Sequence, residues 1–462
     1  MNLIEMYSCG LIVFFFLGFP PTPARAQAAN QAVQSQSADQ KIQQLEQKVE
    51  ELDQRLKVEE RQKEIKADED AEKAKSAASV TANGGPFTIR SGDGDFVLRL
   101  GADFQIDNRT FPGVSLVPLT DQIVIRRARP TISGTVYRYV DFYVREDFGL
   151  GAVVLYEAYA QLNYFSRLNL RVGKFKPPVG LERLQSDDDT TFVERGLPTL
   201  LVPSRDIGYQ FSGDIVKRRA SYAVGVFNGV PDNSLSDTSA SDHRDYAGRI
   251  FLTPFAPDKG PLRGLGVGFA ATGGNLDGLA LPAYKTFGQN TFFTFASGVT
   301  SVGHRTRFAP QGYYYLGPFG ILSEYTVSEE EFQKGAVRKD IALRSWQVAA
   351  SYLLTGERKV FDTLVPRKAF NPKNHGWGAF ELAVRVSDFR VDQAMFTDGF
   401  ASVTASPRHS HEWVGGGNWY LNRMLRISVD YANTNFGGGA TVANSGNRST
   451  ERVFINRFQI NF

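Results

Sequence analysis

Phe96-Val97-Leu98-Arg99-Leu100-Gly101-Ala102-Asp103-Phe104-Gln105-Ile106-Asp107 alternates in polarity from one residue to the next. Phe96, Leu98, Leu100, Ala102, Phe104 and Ile106 form one face of an extended strand, and Val97, Arg99, Gly101, Asp103, Gln105 and Asp107 form the other, because successive strand side chains point to opposite sides. The pattern recurs where Val140, Phe142 and Val144 alternate with Asp141, Tyr143 and Arg145. The last strand sets Phe454, Phe458, Ile460 and Phe462 against Arg457, Gln459 and Asn461, with Asn456 the one misfit on the apolar face. A soluble sandwich also alternates, but its strands are usually about 5 or 6 residues long. Several runs here reach about ten or more, the length a tilted strand needs to cross a bilayer. The reading is an all-β fold, a transmembrane antiparallel barrel with a greasy outer face and a wet lumen.

The composition agrees. A hydrophobic content of 42% and a mean hydropathy of −0.26 are too polar for a helical membrane protein. The 35 Phe and 18 Tyr suit aromatic girdles at the two membrane interfaces. Tyr313-Tyr314-Tyr315 and Asn418-Trp419-Tyr420 are candidate girdle segments, although ordinary core packing explains either equally well. From 87 to 462 the chain is rich in Phe, Tyr, Gly, Thr and Arg, with turn residues between the patterned runs. Roughly 20 to 25 residues per strand and turn imply an even count of about 16 or 18 strands, wide enough for a water-filled lumen.

Upstream, Leu11 to Phe19 is apolar and is followed by Ala24-Arg25-Ala26. The run is about half the length of a spanning helix and precedes a small-residue cleavage pattern, so residues 1–26 read as a secretory signal. Against this stand Glu5 and the lack of Lys or Arg before the run, and a membrane anchor is the alternative. The single cysteine, Cys9, falls inside the signal, leaving an exported chain held by packing and closed hydrogen-bond ladders.

Residues 27–38 read as a polar linker. Within 39–75, Ile42, Leu45, Val49, Leu52 and Leu56 recur at heptad spacing, the seam of a short periplasmic coiled coil. After Leu56 the next seam positions are Glu59 and Lys63, so a solvated single helix or disordered spacer stays open as an alternative. Residues 76–86, with Asn83-Gly84-Gly85-Pro86, read as a linker into the barrel domain, 87–462.

A net charge of +3 is too mild to imply nucleic-acid binding. The positive charge is concentrated in Arg126-Arg127-Ala128-Arg129, in Arg171-Val172-Gly173-Lys174-Phe175-Lys176 and in Lys217-Arg218-Arg219, the last most simply a solvated turn. After Lys176 the strand pattern is lost through Asp187-Asp188-Asp189 as far as Gly208. A patternless stretch of about 30 residues is more often functional than idle, and in a barrel it would be an inward constriction loop at about 177–207. Arg127 and Arg129 share one strand face; Arg126 lies on the other unless a bulge brings it to the lumen.

Arg171-Val172-Gly173-Lys174-Phe175-Lys176-Pro177-Pro178, then Gly180-Leu181-Glu182-Arg183, Phe192-x-Glu194-Arg195-Gly196-Leu197-Pro198 and Pro203-x-Arg205-Asp206-Ile207-Gly208 resemble the signature of the phosphate-selective porin O and P family. Arg126-Arg127-Ala128-Arg129 is similar to that family's preceding strand, and the signal, the short coiled coil and the terminal Phe462 fit it as well. The resemblance implies a homotrimer of 16-stranded outer-membrane barrels whose pore is lined by arginines, with further cations on the inward loop. It implies passive uptake of small anions, above all phosphate or polyphosphate, with insertion guided by the C-terminal Phe462. Carried onto this chain residue by residue, the matching positions are Arg126 and Arg127 on the barrel wall and Arg183 and Arg195 on the loop; Arg129, Lys174, Lys176 and Arg205, from the same segments, complete the candidate anion-binding set. Where phosphate-selective members have small hydroxyl residues between the loop cations, this chain follows Ser186 with Asp187, Asp188 and Asp189. These carboxylates weaken selectivity if they face the pore, pair with loop arginines, or brace the loop through a divalent cation.

Three other functions compete with this reading. An enzyme finds little support: His243, His304, His375, His409 and His411 are scattered, and Gly264-x-Gly266-x-Gly268 lacks the spacing of a nucleotide loop. No cofactor or metal site is read. A tether whose barrel is only an anchor would not need so large a barrel. A general-diffusion porin shares the fold and differs only in the lumen.

Overall fold

The computed structural model describes residues 27–82, 85–113, 117–239, 241–439 and 448–462; the signal reading of 1–26 lies outside them. The chain divides into two compact units, one ending at Lys75 and one from Ser76 to Phe462. The described part of the first is a helix, α1 (Gln27–Ser76). It includes 27–38, expected as a polar linker: that stretch is rich in Gln and Ala and lacks Gly and Pro, a composition that favours helix. Its apolar seam is open, with Leu45 62% and Val49 64% exposed. Arg55–Glu51 (2.8 Å) and Lys57–Asp53 (2.7 Å) pair one turn apart on its surface. The segment 76–86, expected as a linker, contains a short strand, Ser79–Thr81, paired antiparallel with Phe87–Arg90. Its β-branched Val80 and Thr81 suit an extended chain.

Sixteen strands form the barrel. They are β1 (Val97–Thr110), β2 (Gln122–Val136), β3 (Val140–Asp147), β4 (Val154–Phe165), β5 (Leu168–Phe175) and β6 (Asp206–Val216). There follow β7 (Ala220–Phe227), β8 (Asp245–Leu252), β9 (Leu265–Leu279), β10 (Val299–Leu316) and β11 (Phe319–Lys334). The series ends with β12 (Val337–Leu353), β13 (Ala379–Val391), β14 (His409–Tyr420), β15 (Leu425–Gly437) and β16 (Glu451–Asn461). Each pairs antiparallel with its neighbour in sequence, and β16 returns to β1 with Phe458 opposite Ile106 and Ile460 opposite Phe104. Closure leaves no unpaired strand edge, which lipid could not satisfy. Phe462 completes the seam, exchanging backbone hydrogen bonds of 3.0 Å in both directions with Ala102. Gly101 lies beside it because a Cβ there would stand 2.5 Å from the Phe462 carbonyl oxygen.

The barrel is inside out relative to a soluble protein. Leu100, Ile125, Ile132, Phe211, Phe269, Leu382, Val384 and Phe458 are exposed on its outer wall, whereas Arg205, Arg305, Arg307, Arg385 and Arg457 are among its largest fully buried side chains. That inversion follows from the solvent: lipid outside accepts apolar side chains, and the lumen collects the charged ones. The candidate girdle triplets obey the alternation. Tyr315 and Tyr420 turn inward, the Tyr420 hydroxyl donating to Glu381 (2.7 Å), and Tyr313 stacks on Tyr315 with ring centroids 4.7 Å apart.

Connections differ at the two ends. At one end β2–β3, β4–β5, β6–β7, β10–β11 and β14–β15 are joined by short turns and 354–378 is the one long connection among the described residues; at the other lie the long connections 176–205, 228–244, 280–298 and 392–408, with a tight turn between β11 and β12. Much of the long-loop end is filled. Phe292, Phe293, Phe332, Phe389, Met395, Phe400 and Phe436 pack with Leu197, Leu200 and Leu201 into one buried apolar cluster.

Candidate functional site

Pro177 and Pro178 end β5, since proline carries no N–H to continue a ladder. The chain then turns into the barrel through a one-turn helix, Leu181–Leu184, and a 3-10 turn, Leu197–Leu201, and β6 begins at Asp206. The opposite wall holds this loop by its backbone. Leu181 N donates to Glu324 (2.6 Å) and Val193 N to Asp430 (2.8 Å). Arg385 donates to the Glu194 carbonyl (3.0 Å), Arg426 to the Thr190 carbonyl (2.8 Å) and Gln459 to the Asp188 carbonyl (3.0 Å).

Glu194 is the loop's ionic anchor. It receives Arg126 at 2.6 Å and Arg457 at 3.2 Å, while Arg109 stands 3.8 Å away. Burial opposes its ionisation, but Arg126, Arg127 and Arg457 hold its carboxyl far below the usual range. The position of Arg126 has a local cause. Gln105 faces Arg127 and Ile106 faces Ile125, so Arg126 is the extra residue of a β-bulge, and its side chain reaches the loop from a position that strict alternation assigns to the lipid face.

Asp187 lies at the crossing of four arginines. It pairs closely with Arg129 and Arg195 and stands 3.7 Å from Arg205 and 3.9 Å from Arg127; the Tyr156 hydroxyl donates to it at 3.1 Å. At an effective dielectric near 20, one unit-charge pair at about 4 Å is worth about 4 kcal/mol, so several cations together outweigh the penalty of burial. Accordingly burial works to raise the Asp187 carboxyl, yet Arg195, Arg129, Arg127 and Arg205 hold it well below its ordinary value. Among the described residues Asp188 has only Arg145, at 3.9 Å, as an ion partner. Asp189 is pushed up to about 6, mainly by burial and then by its neighbour Asp188, against a hydrogen bond from Thr363. Of the three readings of the acidic run, Asp187 takes the arginine-paired one. No group of three or more His, Cys, Asp or Glu converges on a metal-sized site among the described residues.

The loop separates two cavities. The one toward the long-loop end is 360 Å³ and is lined by Arg126, Arg127, Arg129, Arg183, Arg195 and Lys285, with Asp147 and Glu194 as its carboxylates. The one toward the short-turn end is 340 Å³ and is lined by Arg145, Arg171, Lys176, Arg205 and Arg249, with Glu157 alone opposing them. Several of these cations have neutral partners. Arg183 donates to the Thr199 carbonyl (2.6 Å) and Asn233 (2.7 Å); burial, Arg195 and Arg205 bring its guanidinium down to about 9. Lys176 donates to the Gln185 carbonyl (2.7 Å), and burial with Arg205 and Arg195 lowers it well below its usual range. Arg127 donates to Gln105 (2.5 Å), and its Nε finds no partner among the described residues. Arg171 bonds Gln161 (2.7 Å) and stacks on Tyr159, its guanidinium carbon 4.4 Å from the ring centre.

Of the eight cations singled out from the sequence, seven line these cavities. Lys174 lies outside both: its Nζ donates to the Leu155 and Leu235 carbonyls, each at 2.7 Å, and pairs with Asp237. Four lining cations escaped the sequence reading: Arg145, Arg171, Arg249 and Lys285. Arg145 was legible as a wet-face residue, and Arg171 opens the run in which Lys174 was chosen. Arg249 and Lys285 carry no local signal, because only barrel closure brings them to the lumen.

A closed sixteen-strand barrel with a lipid-compatible wall, a charged lumen and an inward loop is an outer-membrane porin, a class of channels rather than enzymes. The model of the family described as phosphate-selective porin O and P matches residues 98–462, and the chain belongs to that family. It is 23% identical to Porin O of Pseudomonas aeruginosa over 391 residues, which is 77% of this chain and 88% of that protein. Among solved structures, the outer-membrane channel DcaP of Acinetobacter baumannii is similar in fold, with a TM-score of 0.53, 8% identity, and coverage of 84% of this chain and 100% of that one. An anion-selective porin from Comamonas acidovorans matches with a TM-score of 0.51 and 10% identity, covering 80% of this chain and 100% of that one.

Proposed function

We propose that this porin carries small anions passively across the bacterial outer membrane, with phosphate or polyphosphate as its preferred solute. The observation that carries the reading is the basic lining of the two cavities: six Arg or Lys side chains face two carboxylates in one, and five face one in the other. An anion entering either cavity gives up part of its water and needs charge-assisted donors in return. The planar guanidinium supplies them in pairs and stays charged at any relevant pH. Several sites of moderate strength in series allow transfer from one to the next, where one very strong site would trap the ion. Arg126, Arg127, Arg129, Arg183 and Arg195 serve on one side of the loop and Lys176 and Arg205 on the other.

Barrels of this class have short periplasmic turns and longer extracellular loops. That convention puts the 360 Å³ cavity outermost and the start of β1 on the periplasmic side, so that α1 lies in the periplasm. Its exposed seam of Ile42, Leu45, Val49, Leu52 and Leu56 suits a coiled coil between copies of a homotrimer. Phe462, which closes the seam against Ala102, is the residue offered to the barrel-insertion machinery.

The test is a planar-bilayer recording of the refolded protein across a potassium chloride gradient, then with phosphate added. Anion-directed reversal potentials and a chloride current blocked by phosphate are expected, with the block weakened in Arg127→Ala combined with Arg183→Ala. A large ohmic conductance indifferent to phosphate would move the function to general diffusion, and a preference for cations would overturn it.

A further inference from the structure

Among the described residues, none lines both basic cavities. The partition between them is built from Asp187 and Tyr156, with Arg129 reaching from one side and Arg205 from the other. The two guanidinium carbons lie 3.6 Å and 3.9 Å from the centre of the Tyr156 ring, so one aromatic ring bridges the last arginine of the first cavity and the first of the second. We propose that the Asp187 carboxylate holds the place of a permeating oxyanion: it is a tethered counter-ion, and a free tetrahedral dianion such as monohydrogen phosphate displaces it on passing from Arg129 to Arg205. The inference rests on the anion-channel reading above and adds to it the residue that sets the threshold for passage.

Three features support it. The carboxylate is bound as an oxyanion would be, with Oδ2 meeting Arg129, the Tyr156 hydroxyl and Arg205, and Oδ1 meeting Arg195 and Arg127. The cage also has supports that do not involve Asp187. Arg129 pairs with Asp147 (2.7 Å), Arg205 bonds Glu157 (2.8 Å), Arg195 donates to the Glu182 carbonyl (2.9 Å) and the Gln185 carbonyl (2.8 Å), and Arg127 donates to Gln105. Finally, the loop is fixed to the far wall by the backbone of Leu181, Asp188, Thr190, Val193 and Glu194, so the Asp187 side chain can swing away while the loop stays in place. An ion of higher charge competes better for four guanidinium groups than a monovalent one, which makes the resident carboxylate a filter against chloride.

Asp187→Asn keeps the shape and removes the charge, and Asp187→Ser supplies a second variant; heat-modifiable mobility in detergent gels reports whether each is folded. Relative to wild type, both are expected to carry several-fold more chloride current and to be half-blocked at about tenfold lower phosphate, whereas Asp187→Glu retains wild-type behaviour. Chloride current and phosphate block unchanged or reduced in a folded Asn or Ser variant would overturn the proposal. So would failure of both variants to fold, since the cage would then depend on the carboxylate. A wild-type channel that prefers cations would sink the anion reading itself; an anion-preferring wild type with unaltered variants would sink only the role of Asp187.

Discussion

The lumen has two differently built regions. Toward β10–β15 it is closed by an aromatic cluster in which Phe292, Phe293 and Phe332 have almost no exposed surface. Toward β1–β5 it is filled by arginines and carboxylates that share partners, as Arg127 does at 3.9 Å from both Asp187 and Glu194. Apolar packing is non-directional, so it stabilises one region as a permanent plug. An ionic network has alternatives of similar energy, so an incoming anion can replace a resident one. The plug confines the pathway and the network forms it.

The strongest way to break this division is to remove Glu194, the one side chain that ties the loop to Arg126 and Arg457. Glu194→Ala strips Arg126 of its carboxylate and leaves Arg457 and Arg109 with Asp107 alone, and a loss of about 3 to 5 kcal/mol is expected from breaking such a network. Denaturant unfolding in detergent measures the loss, and an unsteady, larger conductance should accompany it. Phe389→Ala tests the other region. Phe389 packs against Tyr284, Phe292 and Phe293, with ring centroids 5.2, 5.5 and 6.4 Å away. Its truncation should cost about 3 to 5 kcal/mol while leaving the reversal potential unchanged, so an altered selectivity would show that the plug is part of the pathway.

The smallest effect is at Asp189. Its folded carboxyl titrates at about 6, above the ordinary value near 4 for an aspartate in an unfolded chain. The folded protein therefore binds the extra proton between those values, and this group's contribution to stability falls as pH rises from about 4 to about 6. Asp189→Asn should unfold at a higher temperature than wild type at pH 8, with the gap closing near pH 4. A gap that does not change with pH would place the effect in packing.

Much of the barrel was legible because alternation is a local property. Phe96 to Asp107 and the run from Phe454 to Phe462 could be divided between lipid and lumen residue by residue. Arg126 was not, because the bulge that turns it inward depends on the register between β1 and β2. The place of Lys174 outside both cavities was not legible for a related reason: the strand pattern says nothing about Leu235 and Asp237, which a distant loop brings to it. Nor could the aromatic plug be foreseen, since Tyr284, Phe332, Phe389 and Phe436 come from separate connections and strands.

What the sequence determined by itself was the class of fold, the approximate strand number, the inward loop and the family, because each rests on periodicity or on residues adjacent in the chain. Which cations face which cavity, the aromatic cluster inside the barrel and the place of Asp187 among four arginines were decided by tertiary structure. Those contacts join strands and loops far apart in sequence, and only closing the barrel and folding the loop inward brings their charges within a few ångströms.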